Sequence, residues 1–89
     1  MKYVLLYETA DDGLAKAPTI FPRHRARIDE FAARRQLLQI GPFGDPQTEG
    51  SMAVFSTREA AEEFAGGDPF VLEGVVARWS VRDWNEILD

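Results

Sequence analysis

His24 is the one side chain here whose ordinary titration lies near neutral pH. An imidazole can take a proton and return it within one cycle, so the chemistry it offers is general acid–base catalysis. The alternative is a half-buried histidine that satisfies its hydrogen bonds and reacts with nothing. The chain has no cysteine, which excludes a disulfide, a thiol nucleophile and a cysteine-based zinc site. A single histidine also rules out the common multi-histidine metal sites. No acidic loop with calcium spacing is present. No cofactor is expected.

A carboxylate beside His24 would fix its tautomer and raise its basicity. Asp68 is the best candidate by local grammar. Gly66-Gly67-Asp68-Pro69-Phe70 turns the backbone tightly, and the residue before a proline is held extended. Asp before Pro is equally a good cap for a short helix. Asp45, in Phe43-Gly44-Asp45-Pro46, reads as a similar turn with less reason to enter a cleft. Asp29 lies five positions beyond His24 and faces away. Gly41-Pro42 ends a strand, where a glycine lets a ligand or backbone come close or simply stops the strand. Nothing marks Ser51 or Ser56 as a nucleophile, and Tyr3 and Tyr7 read as core or interface residues. No P-loop, dinucleotide fingerprint or paired-histidine motif is present.

These residues need elements to position them. Residues 2–8 are aliphatic, aromatic and β-branched, a strand with Tyr3, Leu5 and Tyr7 on one face and Val4 and Leu6 on the other. Residues 9–19, with Asp11, Asp12, Gly13 and Pro18, read as a loop long enough to form a lid or rim. A helix is expected from Ile20 to about Arg35, with Pro22 in its first turn. Its inward stripe would be Ile28, Phe31, Ala32 and Arg35, and His24 extends that stripe toward the N-terminus. Residues 37–43 and 51–56 read as strands joined by a turn or loop through Gly44 and Gly50, a hairpin with a longer connection. Thr57 caps a second helix with Ala60, Ala61, Phe64 and Ala65 inward, stopped by Gly66-Gly67. A short turn or helix follows at Asp68, then a strand over residues 75–82, with Trp79 and Trp84 available to core or interface.

The order β-α-β-β-α-β over residues 1–89, one domain, is the split-βαβ, ferredoxin-like α+β arrangement. It predicts a four-stranded antiparallel sheet with two helices on one face. The strands are apolar on both faces, so the uncovered face is expected to meet a second copy, as a barrel or sandwich in a homodimer. A domain of 89 residues without disulfides has a thin core, which also favours association.

The net charge of −5 and pI near 4.8 argue against nucleic-acid binding, which needs a basic face. Arg23, Arg25, Arg27, Arg34 and Arg35 fan around a helix. They either solvate it or lend one or two cations that attract an anionic substrate. No apolar run approaches the roughly 18 residues that span a membrane, and the N-terminus is charged too soon for a signal peptide. A cytoplasmic location is expected.

In order and spacing, the strand Tyr3–Tyr7, Arg23-His24 at the first helix, Leu37-Leu38-Gln39-Ile40-Gly41-Pro42, Glu59-Ala60-Ala61-Glu62-Glu63-Phe64, Asp68-Pro69-Phe70 and the strand running to Trp84 form a pattern. The chain thereby resembles the YCII-related (YciI-like) family of small dimeric α/β proteins. The resemblance implies a ferredoxin-like fold forming a dimeric α/β barrel, and a site with a His and an Asp that falls on His24 and Asp68. It also implies relatives acting on hydroxylated aromatic compounds, a dehydrochlorinase among them. The loops at residues 9–19 and 45–49 name no substrate.

The expected function is a cofactor-free enzyme. His24 is the acid/base, Asp68 orients and polarises it, and Gly41 and Pro42 shape the pocket floor. The substrate is a small, aromatic acid or phenol and the reaction a lyase-like elimination or isomerisation. The competing reading is a non-catalytic dimeric module that binds a small ligand or a protein with the same cleft and no working pair. A cofactor-independent monooxygenase on a similar barrel is a third reading, which no residue here supports.

Overall fold

The computed structural model describes residues 1–88. The chain runs β1 (Lys2–Thr9), α1 (Gly13–Ala33), β2 (Leu37–Pro42), α2 (Pro46–Glu49), β3 (Ser51–Phe55), α3 (Arg58–Gly67), α4 (Pro69–Leu72) and β4 (Val76–Trp84). The strands form one antiparallel sheet in the order β2-β3-β1-β4. This is the ferredoxin-like α+β fold, with two long helices and two additional single-turn helices.

The alternation in β1 places Leu5 and Tyr7 under the helices, where both are buried. They join Phe31 of α1, Phe55 and Ala53 of β3, and Ala60, Ala61, Phe64 and Ala65 of α3. Phe64 is central to this core. Its ring meets Phe31 edge-on at 5.3 Å and Phe55 at 5.4 Å between centroids, geometries that aromatic quadrupoles favour. α3 begins as its sequence predicts, with the Thr57 hydroxyl accepting the Ala60 N–H at 3.1 Å.

α1 departs from expectation in two ways. It starts at Gly13, not Ile20, so most of the expected loop is helix and Pro18 and Pro22 are interior. Each proline removes one helical hydrogen bond. Both lie on the exposed side, where water can serve the carbonyls they leave unpaired. The stripe that overrides them is Gly13, Ile20, His24 and Phe31, all buried, with Ala17 and Ile28 half-buried between. Ala32 is exposed instead of inward, and Arg35 lies beyond the helix at φ 60°. There the Arg35 N–H bonds the Ala32 carbonyl at 3.0 Å and the Gln36 N–H bonds Phe31 at 3.1 Å. That pair of bonds is a Schellman ending with arginine in the left-handed position usually held by glycine.

α2 replaces the expected turn between β2 and β3. It is tied to the end of β1 by Thr9 Oγ1 donating to the Pro46 carbonyl at 2.6 Å and Gln47 Nε2 to Ala10 at 2.9 Å. Gly50, which follows it, sits at φ 76°, and a Cβ there would lie 1.9 Å from the Tyr7 carbonyl oxygen. Only glycine allows β3 to start so close to β1.

On the other side of the sheet, Lys2, Leu38, Val54, Trp84 and Ile87 line a shallow concavity. Leu38, Trp84, Ile87 and Leu88 are exposed. No described helix is long and apolar enough to cross a membrane.

Candidate active site

His24 and Asp68 stand 44 positions apart in sequence, and the fold brings their side chains together at 2.7 Å, Nδ1 to Oδ1. His24 arrives on the buried stripe of α1. Asp68 arrives at the corner where α3 stops and α4 starts, serving both helices as a capping residue. Pro69 occupies the first position of α4, and the Phe70 N–H donates to Asp68 Oδ1 at 3.0 Å. The two alternatives for Asp68 are therefore both realised: the carboxylate that caps α4 also accepts from His24.

The corner is held against α1 by Arg27. Its Nε donates to the Phe64 carbonyl at 3.1 Å and its Nη2 to Glu63 at 2.7 Å, placing a cation at the negative end of α3. The remaining arginines divide up. Arg23 pairs with Glu73, Arg34 with Glu30 at 3.2 Å, and Arg25 with Asp29 at 2.9 Å. Arg25 is the one that also reaches the cleft wall.

Asp68 is fully buried and His24 is 7% exposed. The carboxylate has only acceptors, so the hydrogen bond assigns the Nδ1 proton to His24 and leaves Nε2 as the working nitrogen. Phe70 fixes the plane of the imidazole by stacking on it, 3.8 Å between centroids and 5° from parallel. Phe64 meets it edge-on at 6.3 Å. Among the described residues nothing bonds Nε2.

His24 lines a cleft of about 590 Å³ between α1 and the sheet, a volume that suits a small organic molecule. Its walls are mainly apolar, with Leu14, Phe21, Ile28, Ile40, Phe70 and Val75 among them. Gly41 and Pro42 also line it. A Cβ built on Gly41 meets nothing within 4 Å, so no close approach by the chain itself requires glycine there. Asp68 lies behind His24 and does not reach the wall. Asp45 is at the start of α2 and exposed, and Asp29 is on the outside with Arg25.

Sequence reasoning missed Tyr7. Its hydroxyl donates to Asp68 Oδ2 at 2.6 Å. Burial, with the Asp68 carboxylate alongside, pushes the phenol well above its ordinary value of 10.0. The available signal was the requirement that a buried tyrosine hydroxyl find a partner, but the partner is 61 residues away. Among the described residues no third ligating side chain joins His24 and Asp68 as a metal set.

The geometry is an oriented imidazole that lines an apolar cleft, is backed by a buried carboxylate, and has no partner on its far nitrogen among the described residues. Comparisons with known proteins bear on the family and the fold. The YCII-related domain matches residues 1–85. Protein YciI of Escherichia coli O6:H1 is 31% identical, over 98% of this chain and 99% of that protein. An uncharacterized protein of Haemophilus influenzae is 28% identical over the same shares. Among solved structures, 5-chloro-2-hydroxyhydroquinone dehydrochlorinase (TftG) from Burkholderia phenoliruptrix AC1100, in complex with 2,5-dihydroxybenzoquinone, superimposes with a TM-score of 0.75. It covers 96% of this chain and 94% of its own at 19% identity, a likeness of fold. On its sequence and over nearly its whole length, the chain belongs to the YCII-related family.

Proposed function

We propose that the protein is a cofactor-free acid–base enzyme acting on a small hydroxylated aromatic substrate by elimination or isomerisation. The observation that carries this reading is the His24–Asp68 hydrogen bond at 2.7 Å on a histidine that lines the cleft. In this reading Nε2 takes a proton from a substrate O–H or C–H. The electron pair left behind forms a new π bond. In an elimination the leaving group departs with its own pair, and in an isomerisation the proton returns at another carbon. Asp68, held by its hydrogen bonds, stabilises the imidazolium formed in between. The apolar walls suit a flat ring, and their low polarity strengthens the charge interactions at its reacting edge. Gly41 and Pro42 shape the floor. A second copy of the chain covers the apolar outer face of the sheet, making the homodimer.

The name of the structural neighbour supplies a probe, 5-chloro-2-hydroxyhydroquinone. Chloride release from this compound and related halogenated phenols is measured with wild type and His24→Ala. General acid–base catalysis supplies about 10²–10⁴-fold, and the substitution is expected to remove that much. Turnover that His24→Ala leaves unchanged ends this reading.

A further inference from the structure

We propose that Tyr7 is a positioning residue: its hydroxyl, by occupying Oδ2 of Asp68, governs how strongly that carboxylate acts on His24. Asp68 carries its bonds in a fixed division. Oδ1 accepts from His24 Nδ1 at 2.7 Å and from the Phe70 N–H at 3.0 Å, and Oδ2 accepts from Tyr7 at 2.6 Å. In a fully buried carboxylate an unserved Oδ2 would be costly. Its whole charge would then bear on the imidazole.

The source of the third bond differs from the other two. His24 and Phe70 stand on helices that pack on the sheet. Tyr7 stands on β1, an interior strand, paired with Ser51 of β3 on one side and Trp79 of β4 on the other. The neighbouring Gly50 packs against its carbonyl. The phenol is thus fixed by the backbone ladder and holds the carboxylate against rotation about its last bond.

Each hydrogen bond donated to a carboxylate favours its charged form and weakens it as a proton acceptor. Tyr7 therefore keeps the proton on His24 when the imidazole becomes charged, and it moderates the pull of Asp68 on that charge. The phenol stays protonated, and so stays a donor, throughout the working range. The other charged groups around the pair are already engaged. Arg27 of α1, which acts on Tyr7, holds two carbonyls of α3. Arg23 pairs with Glu73 beyond α4, and Arg25, which reaches the cleft wall, pairs with Asp29 on the outside of α1.

The inference builds on the acid–base reading of His24. Its test needs no substrate, so the two can fail separately. The chain has one histidine, and its ring signals in NMR report that residue alone. In Tyr7→Phe, losing the donor leaves Asp68 with more of its charge, and the His24 signals should titrate at higher pH than in wild type. Replacing Tyr7 by 3-fluorotyrosine, a stronger donor, should move them to lower pH. In an Asp68→Asn background, Tyr7→Phe should move nothing. A Tyr7→Phe titration that coincides with wild type overturns the inference, as does an equal shift in the Asp68→Asn background. If Tyr7→Phe does not fold, the fluorotyrosine variant decides. A shift to lower pH supports the inference, and no shift overturns it.

Discussion

At the scale of residues, the site is built around one buried carboxylate with three donors. His24 and Asp68 were both legible, the first by its titration range and the second by its place before a proline. Tyr7 was not, because a tyrosine on an apolar strand face reads as core. Only the register of β1 against its neighbours shows that its hydroxyl stands over the α3–α4 corner. Its burial gives a prediction with a definite sign. Below pH 10 the phenol is protonated whether the chain is folded or not, and it contributes no slope. Above pH 10 the unfolded chain releases a proton that the folded chain retains, so stability falls as pH rises. The loss attributable to Tyr7 approaches about 1.4 kcal/mol per pH unit. Urea unfolding from pH 9 to 11 should show a shallower decline in Tyr7→Phe than in wild type. Equal slopes would mean the phenol ionises as easily in the fold as in water.

At the scale of elements, α1 shows where sequence reading stops and why. Pro18 and Pro22 read as punctuation, because a proline within a helix costs a hydrogen bond and about 3 kcal/mol against alanine. The buried stripe from Gly13 through Ile20 and His24 to Phe31 outweighs that local preference. It also sets His24 in the middle of a long helix instead of its first turn. The far end of α1 is strained at Arg35, where φ is 60°. Arg35→Gly should stabilise the fold by up to about 1 kcal/mol, the left-handed penalty less glycine's entropy, read as a higher urea midpoint. α3 was read correctly from its cap and its inward face. Thr57→Ala should cost about 1 kcal/mol through the lost bond to the Ala60 N–H. Phe64→Ala should cost about 3–5 kcal/mol, since this ring joins α1, α3 and β3 and also meets His24. A smaller loss would show that the core collapses around the gap.

At the scale of the whole molecule, element order alone predicted the four-stranded antiparallel sheet of the ferredoxin-like fold, because the split-βαβ connection leaves few alternatives for four strands. Apolar residues on both strand faces were equally legible. The sheet explains one set through Leu5, Tyr7, Ala53 and Phe55. The other set, about Leu38, Val54 and Trp84, is what the proposed second copy would cover. Sedimentation at micromolar concentration should give a dimer, and Leu38→Glu should shift it toward monomer while the fold is retained. A wild-type monomer would contradict the proposal. The cleft lies on the opposite side of the sheet from this face.

The central claim is that Asp68 polarises His24 and leaves Nε2 as the base. The direct measurement is a ¹⁵N NMR titration of the single histidine in wild type and Asp68→Asn. The account predicts a neutral ring protonated on Nδ1 in wild type, and a titration that moves to lower pH when the carboxylate charge is removed. A ring protonated on Nε2, or a midpoint that Asp68→Asn leaves in place, would contradict it.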